Sequence, residues 1–440
     1  MKGRPTALFV TYGGGHVSMV LPVIAALERR VPDVQCRVLA LTTGHLRACA
    51  ARPTLGYRDF LHLVDAGAAR TWGERLSVGN TSPDVPLEET IAYLGINYLE
   101  LMAQYGEAGA AEVFRQRGRY SFYPLGFLKR VIETLQPDVV VATNSPRSEQ
   151  AALEGGRAAG IPTIGIVDLF GLDSDPFVSR VTKPDWTCVI SEVVRQRLIA
   201  RGFPGASVIV TGNPALDGLF DTENRQKAEA FISANGWHGL QPILFASHIE
   251  PYGHPATPVP AGQTLPREIE AVLREHVRQH AELALIVRHH PSNWHSFPRL
   301  PDAPRIHFSE PPHEPIHPLI LAAQAVVVQT STVGLESAVA GKPVISVESS
   351  PAAHIWFSLA KLGVATPCAN AAELPAVLTE VLSGKGSRMS SAYRGDGHAA
   401  ERVAAVVQDA LDGRRTALWR DRLTTGTGLP TDVPPGGVPN

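Results

Sequence analysis

Short apolar runs rich in β-branched residues recur along the chain, and they constrain its fold more than any other feature. The runs show no polar alternation, which is typical of strands that are covered on both faces of a sheet. Helix-like segments separate them, and this alternation predicts βαβ units with parallel strands. The runs lie at residues 7–12, 36–42, 138–143, 163–168, 187–191, 207–212, 242–247, 283–289, 305–308, 325–330 and 342–347.

These runs form two series, which predicts an α/β protein with two Rossmann-like parallel-sheet domains. We expect an N-terminal domain over 1–215, a polar linker region over 216–241 and a C-terminal domain over 242–397. Residues 398–422 are predicted to form amphipathic helices that return to the first domain, and the Gly/Pro/Thr-rich residues 423–440 to be disordered. Ligands bind at the carboxyl ends of such strands, so we expect the two domains to face each other across a ligand-binding cleft.

Composition excludes several classes of protein. The net charge of −2 over 440 residues gives no basic surplus for a nucleic-acid partner. No window of about 18 uncharged apolar residues predicts a transmembrane segment, while peripheral membrane contact stays open. The four cysteines form no CxxC pair, so we expect reduced thiols and a cytoplasmic location.

The first predicted strand ends in a glycine loop, Gly13-Gly14-Gly15-His16, that leads into a helical pattern. Glycines let the backbone approach a ligand, and the helix start offers unpaired N–H groups that favour an anion. A tight turn capped by the histidine is the simpler alternative. The acidic residue that a dinucleotide site requires after the second strand is absent, and so is a Walker loop. We therefore expect no bound cofactor.

Polar side chains follow three predicted strands of the second half. Hydroxyl groups and N–H groups at a helix start suit a phosphate, and a glutamate one turn into that helix can reach both hydroxyls of a ribose. The same hydroxyls could simply cap the helix. These candidates, which the resemblance described next implies to bind a nucleotide-sugar donor, are Ser247, His248, Arg288, His290, Thr330, Ser331, Thr332 and Glu336.

Several of these segments resemble known families. YGGGHVSMVLPVIAAL resembles the glycine-histidine element of GT-B glycosyltransferases, and VTGNPALDGLF resembles a motif of the non-hydrolysing UDP-N-acetylglucosamine 2-epimerases. TSTVGLESAVAGKPVIS and VRHHP resemble nucleotide-sugar motifs of both groups. The resemblance implies a GT-B fold that uses a nucleotide sugar, with Glu336 on the ribose. It also places Gly14, Gly15 and His16 near the donor diphosphate and implies no need for a metal.

A glycosyltransferase is the function that we expect. It would move a sugar, with a UDP-sugar favoured, to a glycan, lipid-linked or other surface-polysaccharide acceptor, and we expect inversion. One alternative is a 2-epimerase, which the sequence disfavours because the epimerase patterns H-R-x-E-N and SGGxQEE read HIEPYG and QTSTVGLE here. Another is a non-catalytic protein that binds a nucleotide sugar.

The N-terminal half offers candidates for the chemistry and for the acceptor. His16 or Asp168 could act as the general base. The segment TNSPRSEQ follows the third predicted strand, and its Asn144, Arg147 and Glu149 could bind the acceptor. A surface turn explains that segment nearly as well.

One segment imitates a zinc site. HEPIH at 313–317 fits the HExxH pattern, which requires both histidines on one helical face. Prolines at 311, 312, 315 and 318 break such a helix. We therefore interpret the segment as a loop and predict no metal site.

Overall fold

A computed structural model describes residues 4–416 except 83, 252–261, 302 and 385–390. The chain divides into two compact units, of which the first contains 1–215 with 398–440 and the second contains 216–397. A six-stranded sheet with only parallel pairs forms the centre of each unit. Within these ranges, no helix combines the length and the apolar character needed to cross a membrane.

The sheet of the first unit has the strand order β2-β1-β3-β4-β5-β6. Its central strands are buried along their length because helices cover both faces, as the unbroken apolar runs predict. Phe9 lies opposite both Val38 and Val141 and is fully buried with them in one core. The strands are β1 (Thr6–Tyr12), β2 (Gln35–Leu41), β3 (Val139–Thr143), β4 (Thr163–Ile166), β5 (Trp186–Val189) and β6 (Val208–Val210).

A pair of packed helices between β2 and β3 enlarges this unit, and the sequence patterns did not reveal it. Its longer helix is interrupted at Gly106, whose φ of 71° favours glycine. The helices of the unit are α1 (Gly13–Arg30), α2 (Thr43–Ala51), α3 (Ala66–Ser77), α4 (Leu87–Arg117), α5 (Leu125–Leu135), α6 (Ser148–Ala158), α7 (Pro176–Ser179) and α8 (Glu192–Ala200).

The sheet of the second unit has the order β12-β11-β10-β7-β8-β9. Its strands are β7 (Gln241–Ser247), β8 (Leu283–His289), β9 (Ile306–Ser309), β10 (Ala325–Val328), β11 (Val344–Val347) and β12 (Thr366–Cys368). Its helices are α9 (Thr222–Ala234), α10 (Thr264–Gln279), α11 (Ile316–Ala322), α12 (Val333–Val339), α13 (Pro351–Ile355) and α14 (Leu374–Leu382).

Helix α15 (Ala399–Thr416) returns to the first unit and packs on α1. Val403 and Val407 are fully buried in the core that α1 also fills. Polar contacts support the apolar ones, since Arg30 Nε donates to Gln408 Oε1 at 2.9 Å. The expected disordered tail, 423–440, lies outside the described residues.

The predicted fold class is confirmed, because all the predicted strands form and they assemble into two parallel sheets. Strand β12 was missed, since it has three residues and contains Pro367, which an edge strand tolerates. The segment 216–241, expected as a linker, instead contains α9 within the second unit. Phe231 anchors α9 there through edge-on contacts with Trp237 and His307.

Candidate functional site

In the first unit, the glycine loop is the start of α1, which begins directly after β1. Gly13 has a φ of 76°, and no side chain caps the helix start. Helix α2 approaches closely, since a Cβ at Gly44 would lie 3.0 Å from the backbone of Gly13. The glycines therefore allow a close backbone approach, and they place His16 in the first turn of α1.

The ring of His16 lies between two carboxylates. Its Nε2 is 3.4 Å from Asp168 Oδ2, and its Nδ1 is 3.6 Å from Glu149 Oε1 and 2.8 Å from Thr143 Oγ1. Burial lowers the pKa of His16, but the hydrogen bonds and charges of Asp168 and Glu149 outweigh this effect and raise that pKa to about 9. His16 is therefore a cation at neutral pH. In this form it can donate a proton, and it can act as a base only after it has lost that proton.

Asp168 is held in its ionised form. Burial raises its pKa, but the hydrogen bond and charge of His16 and the hydrogen bond of Asn144 produce a net lowering. Asn213 Nδ2 also donates to the backbone oxygen of Asp168 at 2.8 Å. Sequence reasoning missed Asn213, although the VTGNPALDGLF motif contains it.

The three residues expected to bind an acceptor have partners inside the first unit. Asn144 Nδ2 donates to Asp175 Oδ2 at 2.8 Å, and Asn144 Oδ1 accepts from the backbone N–H of Asp168 at 3.2 Å. Arg147 lies over the ring of Tyr12 at 4.3 Å. Glu149 is fully buried, and it contacts His16 as described above. The structure therefore places these residues around the His16–Asp168 pair.

In the second unit, His248 connects the loop after β7 with the loop after β10. Its Nδ1 is 3.0 Å from the backbone oxygen of Ile249, and because a carbonyl can only accept, Nδ1 carries the proton. Its Nε2 then accepts from Thr330 Oγ1 at 2.9 Å. The His248 ring therefore orients the Thr330 hydroxyl and joins the two loops.

Glu250 holds this edge of the sheet together, and sequence reasoning missed it within SHIEP. The fully buried carboxylate accepts from Ser350 Oγ at 2.8 and 2.9 Å and from the N–H of Ala352 at 3.2 Å. It also accepts from Gln329 Nε2, and Gln329 in turn hydrogen-bonds the backbone of His248. The loops after β7, β10 and β11 are thereby fixed to one another.

Ser247 and the end of β8 are buried beneath this edge. Ser247 Oγ is 2.5 Å from Nδ1 of His289, whose fully buried ring stacks on Phe297 at 3.7 Å. Burial, together with the charge of Arg274, lowers the pKa of His289 to about 4. Arg288 donates to Ser309 Oγ and to the backbone oxygen of Glu314, both at 2.7 Å. Ser247 and Arg288 thus have structural partners, while His290 is exposed.

Glu336 lies in the first turn of α12, and 18% of its side chain is exposed. Burial raises its pKa to about 7, and a hydrogen bond from Thr332 opposes that rise. His317 Nε2 is 3.7 Å from Glu336 Oε2, and burial lowers the pKa of His317. The preceding Ser331 is half-buried and Thr332 is exposed. A carboxyl group and two hydroxyls therefore surround one short helix start at the strand ends.

No three His, Cys, Asp or Glu side chains within the described ranges are arranged to hold a metal ion. In the HEPIH segment, α11 begins only at Ile316, so His313 and His317 do not share a helix. Glu314 pairs with His307 at 2.9 Å.

The family model described as UDP-N-acetylglucosamine 2-epimerase matches residues 181–408 of the chain. Comparison with curated protein sequences found no match.

Several solved structures are similar in fold. One from S. aureus, MnaA with UDP, is 16% identical, with a TM-score of 0.54 over 93% of this chain and 97% of that one. The Neisseria meningitidis UDP-GlcNAc 2-epimerase bound to UDP-GlcNAc is 14% identical, with a TM-score of 0.53 over 92% and 100%. The wall teichoic acid polymerase TagF is 10% identical, with a TM-score of 0.52 over 94% and 90%. These likenesses confirm the fold, and the family match over residues 181–408 confirms the suspected superfamily.

The family match shows that the glycosyltransferase interpretation is wrong. It supports the alternative of a 2-epimerase instead. The error has a physical cause. A glycine loop, hydroxyls at a helix start and a ribose glutamate bind a nucleotide sugar whichever reaction follows, so they do not distinguish transfer from epimerisation.

Proposed function

Because the chain belongs to the UDP-N-acetylglucosamine 2-epimerase family, we propose that it inverts carbon 2 of a UDP-N-acetylhexosamine. The family match carries this proposal, since it includes the second unit's edge with His248, Gln329, Thr330 and Glu336. A polymerase shares the fold, so the fold alone would not carry it.

In this proposal the second unit binds the UDP part. Glu336 receives the ribose hydroxyls, and the hydroxyls of Ser331 and Thr332 face the phosphates. Thr330 presents its oxygen because its proton is donated to His248 Nε2 at 2.9 Å. Support comes from burial, since a half-buried carboxyl gains more from two hydroxyl partners than it would in water.

The first unit supplies groups for proton transfer. Inversion at carbon 2 requires that a proton leave one face of the sugar and that a proton return to the other face. One group must therefore accept and another must donate. Asp168, whose pKa is lowered, is a proton acceptor, and His16, whose pKa is raised to about 9, is a proton donor. We assign these two roles to them.

The proposal invokes no resident cofactor, since the glycine loop lacks the dinucleotide pattern. It also includes a cytoplasmic location, which the free thiols of all four cysteines favour.

Incubation with UDP-N-acetylglucosamine alone in deuterium oxide tests the proposal. We expect UDP-N-acetylmannosamine to appear in the proton NMR spectrum with deuterium at carbon 2, without any acceptor. Glu336→Ala should weaken UDP binding by about 10- to 100-fold, since two hydrogen bonds from the ribose hydroxyls to the carboxyl group are lost. Glu380→Ala, which removes an exposed glutamate of the same unit, is the matched control.

Two results would contradict the proposal. If UDP fails to raise the melting temperature, the nucleotide site is wrong. If UDP binds but neither product nor deuterium exchange appears, the protein binds a nucleotide sugar without epimerising it.

A further inference from the structure

A cavity of about 180 Å³ lies in the first unit, and its lining includes neither His16 nor Asp168. One wall is the carboxyl edge of the sheet, and the other is formed by the loop between α3 and α4, by α4 itself and by Arg119. Among the described residues, Val85 contributes the only aliphatic side chain to this lining. The lining residues are Tyr12, Thr42, Thr43, Asn80, Ser82, Val85, Glu89, Thr90, Tyr93 and Arg119.

Tyr93 brings an unsatisfied hydroxyl to this cavity. Its side chain is 4% exposed, and its hydroxyl has no hydrogen-bond partner among the described residues. Edge-on contacts with Tyr57 and Phe122 fix the ring, so the hydroxyl cannot turn out to solvent. Burial raises the pKa of Tyr93, which keeps the hydroxyl protonated. A buried polar group without a partner is rare in native proteins, and a ligand oxygen would satisfy it.

Arg119 brings a positive charge to the same cavity. Its Nη2 donates to the backbone oxygen of Asn80 at 2.5 Å, which fixes the guanidinium and leaves its other donors for a ligand. The start of α2 at Thr43 also lines the cavity, and no side chain caps it. Both features favour an anionic group.

The remaining polar groups favour hydroxyl partners. The Glu89 carboxylate accepts from the backbone N–H groups of Tyr57 at 2.7 Å and of Arg58 at 3.2 Å. These two hydrogen bonds partly compensate the negative charge that Glu89 presents to the cavity. Thr42, Ser82 and Thr90 each present a hydroxyl that can donate or accept. Thr42 is held at a φ of 53°, which is unusual for a β-branched residue and is typical of functional loops.

We propose that this cavity binds a sugar of monosaccharide size that carries one anionic group. Its volume is below the range of about 300–1,000 Å³ that is usual for larger organic ligands, so a whole nucleotide sugar does not fit. The anionic group meets Arg119 and the start of α2, and the sugar hydroxyls meet Tyr93 and the threonines. This inference does not rest on the proposed epimerase activity.

Isothermal titration calorimetry on the full chain tests the site with four probes, namely glucose 6-phosphate, glucuronate, N-acetylglucosamine and inorganic phosphate. We expect one of the two anionic sugars to bind at least ten-fold more tightly than the neutral sugar or phosphate. Arg119→Gln should weaken that binding by about 10-fold or more, and Tyr93→Phe by about 3- to 10-fold. Arg117→Gln, an exposed neighbour, should not change it.

Tyr93→Phe keeps the aromatic packing and removes an unsatisfied hydroxyl, so its melting temperature should not fall. Glu336→Gln should leave binding of the anionic sugar unchanged, which separates this site from the nucleotide site of the second unit. The proposal is overturned if neither anionic sugar binds at millimolar concentration, or if inorganic phosphate binds equally well. It is also overturned if Tyr93→Phe and Arg119→Gln bind like the wild type.

Discussion

The carboxyl ends of the two sheets share an architecture but differ in electrostatics. In the first unit, His16 and Asp168 are held as a cation and an anion, with pKa values shifted in opposite directions. In the second unit, burial lowers the pKa values of His289 and His317 and raises that of Glu336, so each of the three is shifted toward its uncharged form. The His16–Asp168 pair in the first unit is therefore stabilised in its charged form, whereas Glu336 in the second unit is not.

The difference follows from what surrounds each group. Carboxylates flank His16 on both ring nitrogens, and their attraction exceeds the cost of burial. Among the residues that the structure describes, Glu336 has no cation that compensates for its burial, because the nearby His317 is itself shifted toward its neutral form. An edge with fewer negative charges repels a diphosphate less, whereas an ionised pair suits proton transfer.

Asp168→Asn should have the largest effect on the difference between the two strand edges, because it removes the charge of the His16 partner. The amide cannot accept a proton and no longer raises the pKa of His16, so turnover should fall by about 100- to 10,000-fold. The His16 pKa should move from about 9 toward its ordinary value of 6.5, and NMR of the imidazole nitrogens can follow it directly. Asp173→Asn, which changes an exposed aspartate of the same unit, is the control. An unchanged His16 pKa would refute the ionised pair.

Glu336→Gln should make the protein more stable at alkaline pH while it weakens UDP binding. The native pKa of Glu336, about 7, lies above its ordinary value of 4.5, so the carboxyl stabilises the fold only while it is protonated. This contribution is complete below pH 4.5 and is lost as the pH rises through 7. At pH 8 the variant should gain up to about 3 kcal/mol in the free energy of unfolding.

Urea unfolding at pH 4.5 and pH 8 measures this gain, which should disappear at the lower pH. Glu380→Gln should show no gain at either pH. A variant that is less stable than the wild type at pH 8 would mean that Glu336 is ionised and stabilising, and the contrast between the two strand edges would fail.

His289→Asn should instead change how the free energy of unfolding depends on pH below neutrality. The native pKa of His289, about 4, lies below its ordinary value of 6.5, so the unfolded chain binds a proton first as the pH falls. The wild type should lose about 2 kcal/mol between pH 8 and pH 5 through this group alone. The variant starts less stable, since it loses the stacking on Phe297, but its stability should vary less with pH over this range. An equal slope in both proteins would show that His289 is not held neutral.

The strands were predictable because each is a continuous apolar run, and the polar residues that follow them were predictable because parallel strands end at one edge. Glu336, His248 and His16 were found in this way. Their charge states were not, because these depend on neighbours distant in sequence. Asp168, for example, lies 152 residues after His16 in the sequence.

Glu250 and Asn213 illustrate a second limit. Both lay inside motifs that were quoted, but their partners come from other loops, which sequence patterns do not identify. The cavity wall formed by α4 and the loop before it was missed for a related reason. Helical periodicity can predict the helices, but not that their polar residues meet Thr42 and Thr43.

Arg147→Met gives the smallest expected effect and separates a structural role from a ligand-binding one. The guanidinium lies over the Tyr12 ring at 4.3 Å, and a cation in this position contributes about 0.5–1 kcal/mol. Methionine keeps an unbranched side chain, although a shorter one, and removes the guanidinium. We therefore expect the free energy of unfolding in urea to fall by about that amount, with turnover within about three-fold of the wild type. Arg157→Met, which removes a guanidinium that pairs with the buried Asp185 at 3.0 Å, is a control that should lower stability without changing turnover. A ten-fold loss of turnover at unchanged stability would instead show that Arg147 contacts the substrate, as its place after β3 first suggested.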